Sequence, residues 1–218
     1  MTAAEADKEL EVFKLLMSKI FMNSKLLEPR INGIRELNQI ILNNQAWRNT
    51  SAISLDFIIE WLNENQIFTL VWDARKTHQQ VVERTDEIFK LLLQKDMMTE
   101  ELFDKFWSLA SEYKREVYKI IKENTYYLKE PHRYAILDKL IDVPVERIDS
   151  ADFDLLGEVE RMADSIFKNK LTEFFWRVIS EGNSCDEELL DKGILKLTQM
   201  LKYTQLEIKK PLFLRLTG

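Results

Sequence analysis

Residues Ser54 to Ile121 read SLDFIIEWLNENQIFTLVWDARKTHQQVVERTDEIFKLLLQKDMMTEELFDKFWSLASEYKREVYKII. One helical unit occurs in this stretch twice. It opens as Ser54-Leu-Asp-Phe-Ile-Ile-Glu-Trp-Leu and again as Thr99-Glu-Glu-Leu-Phe-Asp-Lys-Phe-Trp-Ser-Leu. In each copy a hydroxyl residue stands where it can accept a hydrogen bond from an orphan helix N–H. Acids in the first turn then complement the positive end of the helix dipole, and the apolar run ends in a tryptophan. The spacing predicts packed helices rather than a sheet. Ile67-Phe-Thr-Leu-Val-Trp72 is the one stretch that could be a strand. A single short strand has no pairing partner, so it is read as a buried helix or helix junction.

Upstream, Val12, Leu15, Leu16 and Ile20 recur at helical spacing, which predicts a helix over about Ala4 to Leu27 that Glu28-Pro29 ends. Ile31, Ile34, Leu37, Ile40 and Ile41 predict a second helix from about Arg30 to Asn44, with Gly33 marking a close approach of its neighbour. Trp47, in the polar connector that follows, is expected to be a lid over the core.

Downstream of Trp72, Asp73 or Thr77 is expected to cap one long helix reaching about Lys95. The unit at Thr99 runs to about Ser111, and a further helix is expected over about Lys114 to Tyr127. Pro131 suits the first turn of the next helix, Val143-Pro144-Val145 interrupts it, and Ser150 or Asp152 caps another. A helical run around Phe174 to Ile179 and a last helix from Asp186 to about Tyr203 complete the pattern. The starts near Ser54, Thr99 and Ser150 lie 45 and 51 residues apart. That is close to the period of roughly 40–47 residues of armadillo and HEAT units. The fold class is therefore all-α, with stacked helical pairs or triplets of armadillo/HEAT-like type; an irregular helical bundle would give the same apolar pattern. The 218 residues are read as a single all-helical domain, and the apolar Leu212, Leu214 and Leu216 suggest a piece of something larger.

Composition narrows the function. Five glycines and four prolines leave turn signals sparse, and the glycines stand singly, so no phosphate-cradling loop is present in the sequence. The net charge of −6, with both signs interleaved, argues against nucleic acid, which calls for clustered Lys and Arg. No run approaches the roughly 20 apolar residues of a membrane span. The N-terminal segment is acidic and lacks the pattern of a secretory signal, and the single cysteine, Cys185, fits a reducing, cytoplasmic setting.

Catalytic material is scarce. The chain has two histidines, His78 and His132, and Cys185 lies in a polar loop context without an activating partner in sequence. Acids such as Glu100-Glu101 and Asp186-Glu187-Glu188 fit first helical turns better than a metal site. No catalytic residue, metal or cofactor is expected. The residues singled out for protein binding are Trp72, Arg75, Lys76, His78 and Arg84, a basic strip beside an aromatic. Arg and Trp are enriched among interface hot spots, although such charges also serve as the solvated face of a helix.

The segment Asp73-Ala-Arg-Lys-Thr-His-Gln-Gln-Val-Val-Glu-Arg, with Glu87-Ile-Phe-Lys-Leu-Leu-Leu and Glu101-Leu-Phe-Asp-Lys-Phe-Trp, resembles the helical-repeat region of very large ubiquitin-specific proteases of the fat facets type. The resemblance covers roughly residues 10 to 165. It implies a noncatalytic scaffold, distant from the protease domain, that positions ubiquitinated substrates or regulators. The cysteine and histidine boxes of those proteases are absent from this sequence, and nothing catalytic is carried onto Cys185. A free-standing armadillo-like adaptor is the nearest alternative; a small helical metal-dependent enzyme is a more distant one, since it would need inward-facing acids where apolar residues stand.

Overall fold

Three helix starts obey the caps read from the sequence. The Ser54 hydroxyl accepts from the Phe57 N–H at 3.1 Å, and the Thr99 hydroxyl accepts from the Leu102 N–H at 3.2 Å. Pro131 lies in the first turn of its helix, where no intrahelical partner is lost. The computed structural model describes residues 2–45, 51–73, 75, 77–161, 164–181 and 187–203, the last three by backbone alone. Among the described residues there are α-helices and two short 3-10 turns, with no strand. The fold is an armadillo-like stack of helices, and the Ile67–Val71 run is helical. No described helix is long and apolar enough to cross a membrane. Trp47, Cys185 and Leu212 to Leu216 lie outside the described residues.

The chain divides into two compact units, Met1–Tyr127 and Leu128–Gly218. In the first, α1 (Ala3–Met22) packs along α2 (Leu27–Gln45). The approach is close at Gly33, where a Cβ would stand 2.6 Å from the Ser18 carbonyl oxygen and 2.8 Å from the Met22 nitrogen. Helix α3 (Leu55–Glu64) leads through Gln66, at φ 53°, into the short α4 (Ile67–Val71). Then follow α5 (Gln79–Val82), α6 (Asp86–Gln94), α7 (Glu100–Ser108) and α8 (Ala110–Glu123). Helix α2 reaches α3, α5 and α6, and α8 lies against α5 and α7. The core contains Ile34, Leu37, Ile58, Leu62, Phe89, Phe103 and Phe106, all essentially inaccessible to solvent. Burying each such side chain contributes about 1.5–3 kcal/mol.

The second unit holds α9 (Glu130–Ile141), α10 (Ser150–Glu160), α11 (Ser165–Glu181) and α12 (Glu187–Tyr203). Phe153 meets Phe175 at 5.1 Å and Phe174 at 6.2 Å in its core. Arg177 on α11 closes the carboxyl end of α9: its guanidinium donates to the Ile141 carbonyl and, at 3.1 Å, to the Val143 carbonyl. A planar fork of donors suits two adjacent orphan carbonyls.

Several boundaries differ from the sequence reading. Helix α1 ends at Met22 and α2 already begins at Leu27, so Pro29 stands in the first turn of α2 rather than ending α1. The missing N–H of proline is as harmless in a first turn as it is disruptive in an interior. The long helix expected up to Lys95 is broken at Glu83–Thr85. Thr85 is fully buried there and its hydroxyl donates to the Val82 carbonyl, while Asn38 of α2 donates to the Arg84 carbonyl. These bonds satisfy the break from side chains. The helix expected up to Tyr127 ends at Glu123, with a 3-10 turn after it, and departs from helical geometry at Tyr113. The cap of α10 is Asp149, whose carboxylate accepts from the Ala151 and Asp152 N–H groups; Asp152 reciprocates by accepting from the Asp149 N–H. Helix α11 begins at Ser165, its Phe167 N–H donating to Asp164 at 2.7 Å.

Candidate protein-binding site

The residues predicted to bind protein lie on the segment from the end of α4 to the α5–α6 break. Trp72 follows the last residue of α4, and its side chain turns inward. It is 1% exposed, with its ring 5.5 Å from Phe68 and 5.3 Å edge-on from Phe106. Phe106 in turn meets Phe89 at 4.4 Å. The aromatic beside the basic strip is therefore buried and is not itself part of the surface. Trp72 is a core residue: just past the end of α4, its ring joins the aromatic cluster that Phe89 of α6 and Phe106 of α7 form. Its indole N–H finds no acceptor among the described residues.

The loop after Trp72 is held from both sides. The Asp73 carboxylate accepts from the Arg75 N–H at 3.1 Å, and the Asp73 carbonyl accepts from the Thr77 N–H at 2.9 Å. The Thr77 hydroxyl donates back to the Val71 carbonyl at 3.1 Å, so Thr77 ties the loop to α4 instead of capping a helix. Tyr113 of α8 donates to the Thr77 carbonyl at 3.3 Å. Burial pushes the Tyr113 phenol above its ordinary range, with the neighbouring Glu112 acting in the same direction.

Within this frame Arg75 is exposed, and no partner engages its guanidinium among the described residues. His78 is exposed at the start of α5, where its Nδ1 accepts from the Gln80 N–H at 3.2 Å. Arg84 is half-buried; it donates to the Gln80 carbonyl at 2.7 Å and lies 3.8 Å from Glu83. Gln79 bridges Glu83 and Glu116. Lys76 lies outside the described residues. Among its described residues the strip is thus a mixed-charge surface, with Glu83 and Glu116 beside it and the Arg75 guanidinium unengaged.

A groove apart from this strip is not among the residues singled out from the sequence. It measures about 500 Å³ and is lined by Asp56, Ile59, Glu60, Asn63 and Glu64 of α3 together with Lys95 and Met97 from the α6–α7 turn. Its signal in the sequence is the placing of Asp56, Glu60 and Glu64 four residues apart, one helical face. Among the described residues no cluster of three or more His, Cys, Asp or Glu could hold a metal ion. His78, at the start of α5, and His132, on α9, belong to different units.

What these features define is an armadillo-like helical repeat whose described surface offers mixed-charge faces and a groove. The chain belongs to the UBP24/USP9X/USP9Y ARM repeat family, which it matches over residues 8–213. That match extends further toward the C-terminus than the resemblance seen in the sequence. Among its relatives, ubiquitin carboxyl-terminal hydrolase 9Y of Homo sapiens is 19% identical over 215 residues, an alignment covering 92% of this chain and 8% of the relative. Ubiquitin carboxyl-terminal hydrolase 9X of Mus musculus is 20% identical over 215 residues, with the same two coverages. The chain therefore spans about one twelfth of the length of these relatives.

Proposed function

We propose that this chain is a noncatalytic protein-interaction region of a large cytoplasmic deubiquitinating enzyme, holding ubiquitinated substrates or regulators for a protease domain elsewhere in that enzyme. The match to the ARM repeat family over residues 8–213 carries this reading, because both relatives above are named as ubiquitin carboxyl-terminal hydrolases and align with this chain over 8% of their length. Stacked helical repeats present extended surfaces suited to other proteins. Helix α1 adds support, since it leaves Leu10, Phe13, Leu16 and Ile20 exposed along one side. Apolar patches of that kind commonly mark protein contacts. We assign the contact made by the basic strip to Arg75, supported by His78 and Arg84, with Trp72 anchoring the loop from below.

The test is affinity capture from cell lysate with the purified chain as bait, beside an Arg75→Glu, Arg84→Glu double variant and a control helical protein of similar charge, read by quantitative mass spectrometry. Proteins enriched by the chain and lost from the double variant are the expected result. Equal enrichment by both would remove the basic strip from the proposal, and no enrichment over the control would leave a structural spacer.

A further inference from the structure

The groove on α3 is built by two different pieces of local geometry. Asp56, Glu60 and Glu64 succeed one another at four-residue intervals, so their carboxylates climb one side of the helix in steps of about 6 Å. The opposite side of α3 carries Ile58, Trp61 and Leu62 into the core. The far wall is the turn that closes α6. There the Met97 N–H donates to the Leu92 carbonyl at 2.8 Å and the Asp96 N–H to the Leu93 carbonyl at 3.3 Å, with Asp96 at φ 59°. This is the six-residue C-terminal closure that usually takes glycine at the left-handed position. It leaves Met97 40% exposed at the groove's edge, opposite the nearly buried Ile59.

The groove thus combines apolar walls with a one-sided charge. Among the described residues that line it Lys95 is the one cation, and its ammonium is already 3.3 Å from Asp56. Glu60 and Glu64 are exposed, and neither has a hydrogen bond or ion pair among the described residues. Two carboxylates on an apolar-walled groove call for two cations flanking an apolar side chain. In an extended peptide, residues two apart point the same way and lie about 6.7 Å from one another, close to the step between the acids.

We propose that the α3 groove binds an extended, lysine- or arginine-bearing segment of a partner protein, with cations at alternate positions on Glu60 and Glu64 and an apolar side chain against Ile59 and Met97. This deepens the scaffold reading by giving one partner surface its chemistry, and it is independent of the basic strip. A partner held through Arg75 with an empty groove would keep the scaffold and refute the groove.

Fluorescence anisotropy of a labelled peptide with lysines at alternate positions around a central leucine tests it, against a counterpart with glutamate for lysine. The purified chain is expected to bind the basic peptide saturably and to ignore the acidic one. Affinity should fall at least tenfold in a Glu60→Lys, Glu64→Lys variant and by less in Glu60→Gln, Glu64→Gln, which alters the fold least. An Asp154→Lys, Glu173→Lys variant, with the same change in net charge on exposed positions of the second unit, should bind like the parent. Absence of saturable binding overturns the proposal. So does an equal loss in the control variant, which would reduce the effect to net charge, or unchanged affinity in both groove variants.

Discussion

The Glu11 carboxylate of α1 accepts a 2.5 Å hydrogen bond from the Ser51 hydroxyl, 40 positions along the chain. The same oxygen, Oε2, accepts from the Ala52 N–H at 3.0 Å and the Ile53 N–H at 3.2 Å. One side chain of the first helix therefore satisfies the backbone that leads into α3. Replacing it leaves two N–H groups without that acceptor. Glu11→Ala is expected to destabilise the first unit by about 1–3 kcal/mol, read as a lower urea midpoint at unchanged slope. An unaltered midpoint would show that water replaces the carboxylate without loss.

At Gly33 two effects compete. Alanine gains about 1 kcal/mol of helix propensity over glycine, but its Cβ would press on the Ser18 carbonyl and the Met22 backbone nitrogen. Backbone atoms in packed helices yield little, and overpacking of this kind costs about 1–3 kcal/mol. Gly33→Ala should therefore be net destabilising in thermal unfolding. A rise in Tm would mean that α1 and α2 separate easily.

Gln66 carries the opposite opportunity. It holds φ 53° between α3 and α4 without a side-chain cap bond. A left-handed backbone costs an L-residue roughly 1–2 kcal/mol, part of which glycine returns through its freer unfolded state. Gln66→Gly is expected to stabilise by about 0.5–1 kcal/mol in urea, and a loss of stability would contradict the strain argument.

Two carboxylates give pH effects of opposite sign. Asp164 is held below the ordinary carboxylate range, chiefly by the Phe167 N–H and also by the Tyr134 hydroxyl. A depressed acid stabilises the fold above its unfolded pKa and loses that contribution as pH falls through its folded value. Asp164→Asn should thus be less stable than the parent at pH 7, with the gap in Tm closing in acid. Glu87 is pushed up by burial, which Lys90 at 3.9 Å only partly offsets. Its ionisation costs stability above the raised folded value, and the cost disappears as pH falls through that value toward the unfolded one. Glu87→Gln should raise Tm at pH 7 and lose that advantage as the medium is acidified. A constant difference across pH in either variant would contradict the assignment.

How much of this was readable in the sequence depended on range. The caps at Ser54 and Thr99 and the proline at 131 act within one turn, and a local pattern exposes them. Asp149 does not stand out locally because Ser150 and Asp152 are equally good candidates; only the reciprocal bonds between Asp149 and Asp152 decide it. Pro29 is ambiguous in the sequence because the same missing N–H fits either side of a helix boundary. The break at Thr85 rests on Asn38, 46 residues before the carbonyl it satisfies, and no local pattern carries that. Burial of Trp72 has the same origin, since Phe106 lies on another helix. The groove has one local signal, three acids on one helical face, but its second wall comes from the α6–α7 turn, which no local pattern carries.

The most direct test is titration calorimetry of the purified chain with a partner recovered by affinity capture, both components pure. Saturable binding at a defined stoichiometry is expected, weakened by charge reversal at Arg75 and Arg84. Absence of saturable heat and of any shift in Tm with the partner in excess would contradict the claim that this region is itself a protein-binding scaffold.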